Sequence, residues 1–244
     1  MKRDDGGPAV RYPDRSFSNL CTRPQMLFGV ATSMIEQEFA DLYPLNEDNL
    51  VEYLPDIDCR ECGFPSCVAF AEALIGGNTK CTRCSEIDPE MAATIDALME
   101  FHLPAIPYNV MMESFSPGLI PVGHPDTSSP VLVTGNFQDT VGLLGDILNT
   151  CGIQAFLLMS DTKGYSVDNA VVEKRFTPFE ILKVITETEV GSLLTHRSLI
   201  IPGLARHLAG QIKQTTGWEV AVGPISGLEL PLHLLKEVFA QQTA

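Results

Sequence analysis

The chain is poor in basic residues and has no long hydrophobic run. Its 244 residues include 16 Lys and Arg against 31 Asp and Glu, a formal net charge of −15. Nucleic acids and anionic membrane surfaces are bound largely through Lys and Arg, so this balance argues against both as partners. No apolar run approaches the ~18 residues of a transmembrane helix, and the N-terminal MKRDDGGP lacks the apolar core of a signal peptide. We therefore expect a cytoplasmic protein.

Cysteine is concentrated in one place. Five of the seven cysteines fall within 26 residues, at Cys59, Cys62, Cys67, Cys81 and Cys84. In a reducing compartment such a group indicates metal binding rather than disulfides. Thiolate ligands at this density hold zinc or an iron–sulfur cluster. The choice between the two decides whether the protein handles electrons.

The spacing of the cysteines leaves both metals open. The first two and the last two form CxxC pairs separated by 18 residues, which is typical of a zinc ribbon but leaves Cys67 unused. The alternative is a [4Fe–4S] cluster bound by the first three cysteines and one late cysteine. Ser66 can cap a helix over 67–75, which places Cys67 in the first turn, where the helix dipole favours an anionic cluster. The spacing favours iron–sulfur over zinc.

The cysteine segment also carries a family resemblance. From Tyr53 to Leu74 the chain runs YLPDIDCRECGFPSCVAFAEAL, which resembles the small [4Fe–4S] domain of corrinoid iron–sulfur proteins. In that domain the fourth ligand follows the third after about sixteen residues, and sixteen residues separate Cys67 from Cys84. The resemblance implies four cluster ligands, with Cys81 as the alternative to the last: Cys59, Cys62, Cys67 and Cys84.

Composition divides the chain into four parts. Residues 1–48 are heterogeneous, and their one helix-like piece covers 34–42. Residues 49–100 hold the clustered cysteines and end in a predicted helix over 88–99. Residues 101–129 are rich in proline and glycine, which is typical of a linker or an extended wrap. Residues 130–244 form a second compact domain.

Strands and helices alternate in this second domain. Buried strands are predicted at 131–134, 155–159, 198–201 and 219–222, helices at 140–150, 177–189, 204–214 and 230–241, and a hairpin arm at 167–173. Such alternation predicts a mostly parallel sheet in a doubly wound arrangement. No GxGxxG or GxxxxGKS/T motif follows the first strand, which disfavours a dinucleotide or P-loop site.

Glycine and proline collect where the predicted strands end. Ligands of such sheets bind at the carboxyl ends of the strands, where the segments are 134–137, 161–166, 201–204 and 223–228. Exposed backbone amides and small side chains there suit a large planar ligand with many amide arms. Turns without a ligand are the alternative.

Three pieces of the second domain extend the resemblance. PVLVTGNF (130–137), THRSLIIPGLA (195–205) and TGWEVAVGP (216–224) resemble the corrinoid-binding domain in the large subunit of the corrinoid iron–sulfur protein of the acetyl-CoA pathway. The resemblance implies a Rossmann-like domain that holds a base-off corrinoid of the cobalamin type. The implied contacts are Thr134, Gly135, Asn136, Phe137, Gly164, Tyr165, Ser166, Ile201, Pro202, Gly203, Leu204, Gly223 and Pro224. Tyr165 stands where the family more often has a small hydroxyl residue, and it either approaches the corrin or is a turn tyrosine.

The implied fold class is α/β, a small α-rich [4Fe–4S] domain followed by a Rossmann-like corrinoid-binding domain. The implied function is a methyl carrier, in which cobalt accepts and donates a methyl group in partnership with methyltransferases. The cluster would pass electrons from a low-potential donor to restore Co(I), and no side chain need act as acid, base or nucleophile.

The chain lacks one domain of the family's large subunit. The family's large subunit carries a TIM barrel between the two matched regions, where this chain has only residues 101–129. The chain therefore resembles a minimal version, and the family's heterodimer is not carried over. Two other functions stay open. One is an electron-transfer or reactivation protein for a corrinoid held by itself or a partner, and the other is a zinc-stabilised binding protein without a redox role.

Overall fold

The computed structural model of the protein describes residues 44–102 and 114–242. These residues belong to one compact unit of the chain. The predicted helix over 34–42 and residues 103–113 of the predicted linker lie outside the described residues. We call residues 44–102 the cysteine module and residues 114–242 the sheet domain.

The described cysteine module is helical. Its elements are α1 (Glu47–Val51), α2 (Cys67–Ile75), a 3₁₀ turn (Cys81–Arg83) and α3 (Pro89–Glu100). The side chains of Asn46, Ser66 and Asp88 accept backbone N–H groups at the starts of α1, α2 and α3. These bonds satisfy amides that the first turn of a helix leaves without a partner. The predicted helices over 67–75 and 88–99 are confirmed.

The described part of the sheet domain holds one mixed five-stranded sheet in the order β1-β3-β2-β4-β5. The strands are β1 (Gly118–Val122), β2 (Val131–Gly135), β3 (Ala155–Ser160), β4 (Ser198–Ile201) and β5 (Glu219–Val222). Four of them run parallel, and β1 pairs antiparallel with β3. The prediction of an α/β domain with a mostly parallel sheet is confirmed.

Strand β1 lies where the sequence predicts no strand, inside the Pro- and Gly-rich segment 101–129. Its Pro121 is paired in register with Phe156 of β3. Proline lacks an N–H and is tolerated in a strand at the edge of a sheet. Because β1 has a neighbour on one side only, the proline does not interrupt the ladder. The sheet therefore begins before the first strand that the sequence predicts.

Helices cover both faces of the sheet. They are α4 (Gln138–Thr150), α5 (Val167–Val172), α6 (Pro178–Thr188), α7 (Val190–Leu193), α8 (Ala209–Thr216) and α9 (Leu230–Gln242), with a 3₁₀ turn over Gly203–Leu208. Helices α4 and α9 pack on the face that carries Leu132 and Leu157. Helices α6 and α8 pack on the opposite face, with Val133 and Leu158. The alternating inward and outward residues of each strand therefore supply two cores.

Two local predictions need correction. Residues 167–173 are predicted as a hairpin arm, but Val167–Val172 form helix α5, which ends before Glu173. Val167 and Ala170 are buried three residues apart, which is helical spacing, and the N–H of Ala170 donates to the carbonyl of Ser166 at 2.7 Å. The predicted helix over 204–214 begins as the 3₁₀ turn over 203–208 and becomes α-helical only at Ala209.

The cysteine module packs on the face of the sheet domain that α4 and α9 form. Ile147 of α4 and Leu232 of α9 are fully buried in the same hydrophobic cluster as Leu50 and Ile95 of the module. Apolar burial of this kind is the dominant favourable contribution to packing. The module and the sheet domain therefore share one core in the described structure.

Candidate metal and cofactor sites

The loop between α1 and α2 has an unusual backbone. The dihedral φ is positive at Asp56 (51°), Asp58 (45°), Arg60 (65°) and Gly63 (84°). Positive φ is uncommon outside glycine, and residues held in such regions cluster at functional sites. Turns of this kind can aim successive backbone N–H groups into a concavity that binds anions, including iron–sulfur clusters. The backbone around the first two cysteines fits an anionic metal centre.

The five clustered cysteines lie at different depths. Cys59 is partly exposed, and Cys81 is fully buried. The remaining three are 6% to 9% exposed: Cys62, Cys67 and Cys84. Among the five, Cys59 is therefore the most accessible thiol, and Cys81 the least.

Cys67 occupies the first turn of α2, as the sequence predicts. Ser66 caps the helix by accepting the N–H of Ala69 at 3.1 Å. The N–H of Cys67 itself donates to Asp58 Oδ1 at 2.7 Å, which ties the start of the helix back to the cysteine loop. The third cysteine is therefore held against the loop that carries the first two.

The two late cysteines have different surroundings. Burial, together with the nearby Asp96 carboxylate that accepts the Cys81 N–H, raises the pKa of the Cys81 thiol to about 12. Burial also raises the pKa of Cys84, but backbone N–H groups of Glu86 and Ile87 counter that shift. Hydrogen bonds to sulfur favour a thiolate and tune iron–sulfur clusters. Cys84 is therefore better suited than Cys81 to act as a thiolate ligand.

The electrostatic neighbours of the late cysteines show which thiols lie close together. Cys81 is influenced by Cys84 and Cys62, and Cys84 by Cys62 and Cys59. Within residues 44–102 and 114–242, no three His, Cys, Asp or Glu side chains are already placed to hold a metal ion. The thiol donors and the loop backbone fit a thiolate-bound centre. The set Cys59, Cys62, Cys67 and Cys84 stays a prediction.

The second candidate site lies at the carboxyl ends of the parallel strands, and we call it the carboxyl rim. It consists of residues 134–137, 161–166, 201–204 and 223–228. The chain passes from β2 outward to β3 and then back across β2 to β4, so the strand order reverses between β2 and β4. Open α/β sheets bind ligands outside the carboxyl ends of the strands at such a reversal. All the predicted corrinoid contacts lie in these four segments.

Burial divides the predicted contacts into two groups. Seven are buried: Thr134, Gly135, Asn136, Gly164, Ile201, Gly203 and Gly223. Six are partly exposed and can touch a ligand directly: Phe137, Tyr165, Ser166, Pro202, Leu204 and Pro224. The first group builds the rim, and the second presents the surface that a ligand would meet.

Asn136 organises the first half of the rim. Its Oδ1 accepts the N–H of Thr162 at 3.0 Å and the N–H of Gly164 at 3.2 Å, and its Nδ2 donates to the Phe115 carbonyl at 2.9 Å. The Thr162 hydroxyl donates to the carbonyl of Tyr165 at 2.8 Å. A buried side-chain amide whose oxygen and nitrogen are both hydrogen-bonded holds the bonded backbone segments in fixed positions. Asn136 therefore fixes the turn that presents Tyr165, and its contact with a ligand stays a prediction.

The second half of the rim depends on close backbone packing. The N–H of Gly203 donates to the Pro224 carbonyl at 2.9 Å. A Cβ at Gly203 would come within 2.9 Å of the Gly223 carbonyl oxygen and of the Ile225 amide nitrogen. Only glycine fits there without moving a loop. The two halves are joined because α5 contacts the 3₁₀ turn over Gly203–Leu208.

Thr134 carries a polar atom without a partner among the described residues. The residue is 1% exposed, and its Oγ1 has no hydrogen-bond partner there. An unsatisfied buried hydroxyl costs about 1–3 kcal/mol, which a polar group of a bound molecule could offset. Its position at the end of β2 fits a ligand with amide arms. The four rim segments contain no histidine, which fits a corrinoid without a histidine ligand from the rim.

Two rim residues are not among the contacts that the sequence predicts. Thr162 is fully buried and bonds to Asn136, 26 positions away along the chain. Ile225 is 51% exposed beside Pro224, where it adds an apolar surface to the rim. The turn DTKG signals a hydrogen-bonding Thr162, whereas no sequence signal separates an exposed Ile225 from a buried one.

The two parts define a class: a protein that joins a cysteine-rich module with candidate metal ligands to an α/β domain with a candidate ligand-binding rim. Residues 54–85 match the family model described as "Putative Fe-S cluster". Residues 107–231 match the model described as CO dehydrogenase/acetyl-CoA synthase delta subunit, and the chain belongs to that family. The predicted relationship to the large, or gamma, subunit of corrinoid iron–sulfur proteins is confirmed by the relatives that the chain matches.

These relatives are gamma subunits and a corrinoid protein. The chain is 40% identical over 125 residues to the acetyl-CoA decarbonylase/synthase complex subunit gamma of Methanopyrus kandleri, covering 51% of this chain and 27% of that protein. It is 38% identical over 109 residues to the same subunit of Archaeoglobus fulgidus, covering 45% and 23%. It is 34% identical over 103 residues to the corrinoid/iron-sulfur protein large subunit of Moorella thermoacetica, covering 42% and 23%.

The chain spans about a quarter of the length of these relatives. Their names describe whole subunits, so the activity and partners of the whole subunits do not transfer with the match alone. Among the described residues, no helix is long and apolar enough to cross a membrane.

Proposed function

We propose that the protein is a corrinoid- and [4Fe–4S]-containing methyl carrier that works with methyltransferases. One observation carries the proposal: a segment that matches an Fe–S family model packs directly against a domain that matches the delta-subunit model. The relatives named after acetyl-CoA decarbonylase/synthase complexes support partners from the same pathway, including a low-potential electron donor. A cytoplasmic location stays a prediction.

The two cofactors would divide the chemistry between them. When bound, the corrinoid would supply a cobalt centre that takes up and gives up a methyl group, and the cluster would supply the electron that keeps cobalt reduced. The chain holds and orients both groups. We assign the cluster to Cys59, Cys62, Cys67 and Cys84, because the positive φ angles of the loop suit a metal-binding turn and the backbone N–H groups of Glu86 and Ile87 act to lower the pKa of Cys84.

The carboxyl rim would hold the corrinoid. We propose a Rossmann-like domain here, which the strand order and the helices on both faces support. Phe137, Leu204 and Pro224, which are partly exposed, would offer apolar contact to the ring. Ser166 would adjoin the ring through its backbone, since its hydroxyl already bonds to Asp168 and Asn169. The absence of histidine from the rim segments supports binding without a histidine ligand from the rim, and we propose the base-off form that the family resemblance implies. Tyr165, whose carbonyl accepts the Thr162 hydroxyl, would be one of the residues that hold the corrinoid.

Uptake of a methyl group tests the proposal. The protein is reconstituted anaerobically with iron and sulfide, loaded with a cobalamin-type corrinoid, reduced, offered radiolabelled methyl iodide and desalted. We expect label to stay with the protein in proportion to bound corrinoid, and we expect Leu204→Asp to lower both. Protein that retains a cluster but no corrinoid would contradict the methyl carrier and favour an electron-transfer partner for cobalt held elsewhere.

A zinc-stabilised module is the second candidate, because the structure gives it a specific observation. Electrostatic influence links Cys81 to Cys62 and Cys84, and Cys84 to Cys59 and Cys62. These four thiols are the two CxxC pairs that a zinc ribbon uses. Two serine variants separate the candidates. If a cluster is bound, Cys67→Ser loses iron and Cys81→Ser keeps it. If zinc is bound, Cys67→Ser keeps zinc and Cys81→Ser loses it.

A further inference from the structure

Glu229 lies at the junction between the carboxyl rim and the cysteine module. It directly follows rim segment 223–228, and its carbonyl accepts the N–H of His233 at 3.1 Å, so the backbone of Glu229 begins α9. Both carboxylate oxygens face the module. Oε1 accepts the Tyr53 hydroxyl at 2.8 Å, and Oε2 accepts Nδ2 of Asn49 at 3.3 Å.

Helix α9 holds Tyr53 from a second side. Tyr53 is 9% exposed, and the ammonium of Lys236 lies 5.2 Å from the centre of its ring. Lys236 also donates to the carbonyl of Glu52 at 3.0 Å. Lys236 is seven residues beyond Glu229, so the two side chains project from the same face of the helix. Leu232 and Leu235 lie between them in the shared core.

The contact continues from Glu229 into the rim. Leu228, the preceding residue, is 7% exposed in the core that the module shares, and its N–H donates to Ser226 Oγ at 3.2 Å. In the same loop the carbonyl of Pro224 accepts the N–H of Gly203 from the neighbouring rim segment. The loop over 223–228 is therefore fixed at one end by the module and at the other by the rest of the rim.

We propose that Glu229 is a positioning residue that couples the cysteine module to the carboxyl rim. While the module is docked, the contacts of Glu229 with Tyr53 and Asn49 hold the loop over 223–228 in place. When these contacts break, the loop loses order. That a corrinoid meets this loop rests on the proposed function, whereas the coupling between the module and the loop does not.

Amide hydrogen exchange in peptides that cover 223–228 tests the coupling in the metal-loaded full chain. Tyr53→Phe removes the hydroxyl donor and keeps the ring, and Glu229→Gln keeps the shape of the side chain and removes its charge. Each is expected to speed exchange in the loop about tenfold, the order that one hydrogen bond to a charged group contributes to a local opening equilibrium. Because both changes act through one contact, the double variant should exchange no faster than the faster single variant.

Glu219→Gln is the matched control. Glu219 is an exposed carboxylate at the start of β5, paired with Lys213 at 2.6 Å and remote from the module contact. Its loss should leave exchange in the loop unchanged. Asn49→Ala removes the longer, 3.3 Å bond to Glu229 together with the bond that its Oδ1 accepts from the N–H of Asn46 at the start of α1. It should give a smaller increase than Tyr53→Phe, which keeps the test open if a larger change unfolds the chain.

Corrinoid affinity supplies the second measurement. Tyr53→Phe is expected to raise the dissociation constant for a cobalamin-type corrinoid several-fold while the ratio of metal to protein stays unchanged. If the wild-type chain binds no corrinoid but both variants still speed exchange in the loop, the coupling is supported and the proposed function is refuted. Unchanged exchange in both variants overturns the coupling, whether or not a corrinoid binds.

Discussion

Leu232→Ala should destabilise the cysteine module and the sheet domain together. Leu232 lies on α9, is fully buried, and belongs to the same cluster as Leu50 and Phe70 of the module. Truncating a buried leucine to alanine costs about 2–5 kcal/mol, through lost burial and the cavity left behind. With a urea dependence of about 1–3 kcal/mol per molar, the unfolding midpoint should fall by roughly 1–2 M.

Two probes native to the chain follow the two parts separately. Trp218 is the only tryptophan and is 6% exposed in the core on the sheet face away from the module, so its fluorescence reports unfolding of the sheet domain. Cys81 is fully buried in the module, and its labelling by a thiol reagent reports opening of the module. Because the core is shared, we expect both transitions to shift to the same lower midpoint.

Leu199→Ala provides the comparison for this experiment. Leu199 is also fully buried, but in the core on the opposite face of the sheet. If the described residues unfold as one unit, this variant also shifts the Trp218 fluorescence transition and the Cys81 labelling transition to the same lower midpoint. A Leu232→Ala variant in which thiol labelling shifts while the Trp218 transition stays in place would refute the shared core.

Three further predictions concern the rim and the docking contact. Gly203→Ala should lower the free energy of unfolding by about 1–3 kcal/mol and weaken corrinoid binding, because the new Cβ would meet backbone atoms at 2.9 Å. At Gly210 a Cβ would meet nothing within 4 Å, so Gly210→Ala should be neutral or slightly stabilising in the same urea assay. Asn136→Ala should lower the free energy of unfolding by about 2–4 kcal/mol in that assay, since it leaves two buried N–H groups and a carbonyl without partners. A loss below about half a kcal/mol would contradict the role of Asn136 in holding the turn. Burial and Glu229 raise the pKa of Tyr53 in the folded protein. The contribution of Tyr53 to stability is therefore complete below the pKa of tyrosine in the unfolded chain, about 10, and is lost as pH rises above that value. Tyr53→Phe should therefore flatten the fall in stability measured between neutral and strongly alkaline pH.

The regular elements of the sheet domain could be predicted because their signals are local. Buried apolar runs between turn residues place β2, β3, β4 and β5 within a residue of their observed bounds. Pro178 after the capping Thr177 places the start of α6 in the same way. Strand β1 could not be predicted, because Pro121 and the glycines around it are typical of a linker, and its pairing with β3 depends on contacts distant in sequence.

Helix α5 shows how tertiary context overrides a local pattern. The segment VDNAVV is rich in β-branched valine, which favours a strand in isolation. The structure buries Val167 and Ala170 together, and that requires helical spacing. The turn before it, held by Asn136, delivers the chain in a direction that suits a helix on the sheet rather than another strand.

The candidate sites divide in a similar way. The cysteines and the rim segments follow from spacing and from where strands end, so the sequence locates both sites. The burial of Asn136 and the exposure of Ile225 do not follow, because they depend on how four loops pack. Nor does the docking of the module, since Tyr53 and Glu229 meet across 176 positions of the chain.

One spectrum tests the central claim that this chain binds two redox cofactors. The protein is reconstituted anaerobically with iron and sulfide, incubated with a cobalamin-type corrinoid, desalted and measured in the ultraviolet and visible range. We predict a broad shoulder near ~400 nm from a thiolate-bound cluster together with the bands of a retained base-off corrinoid. Colourless protein that holds stoichiometric zinc and no corrinoid would contradict the account.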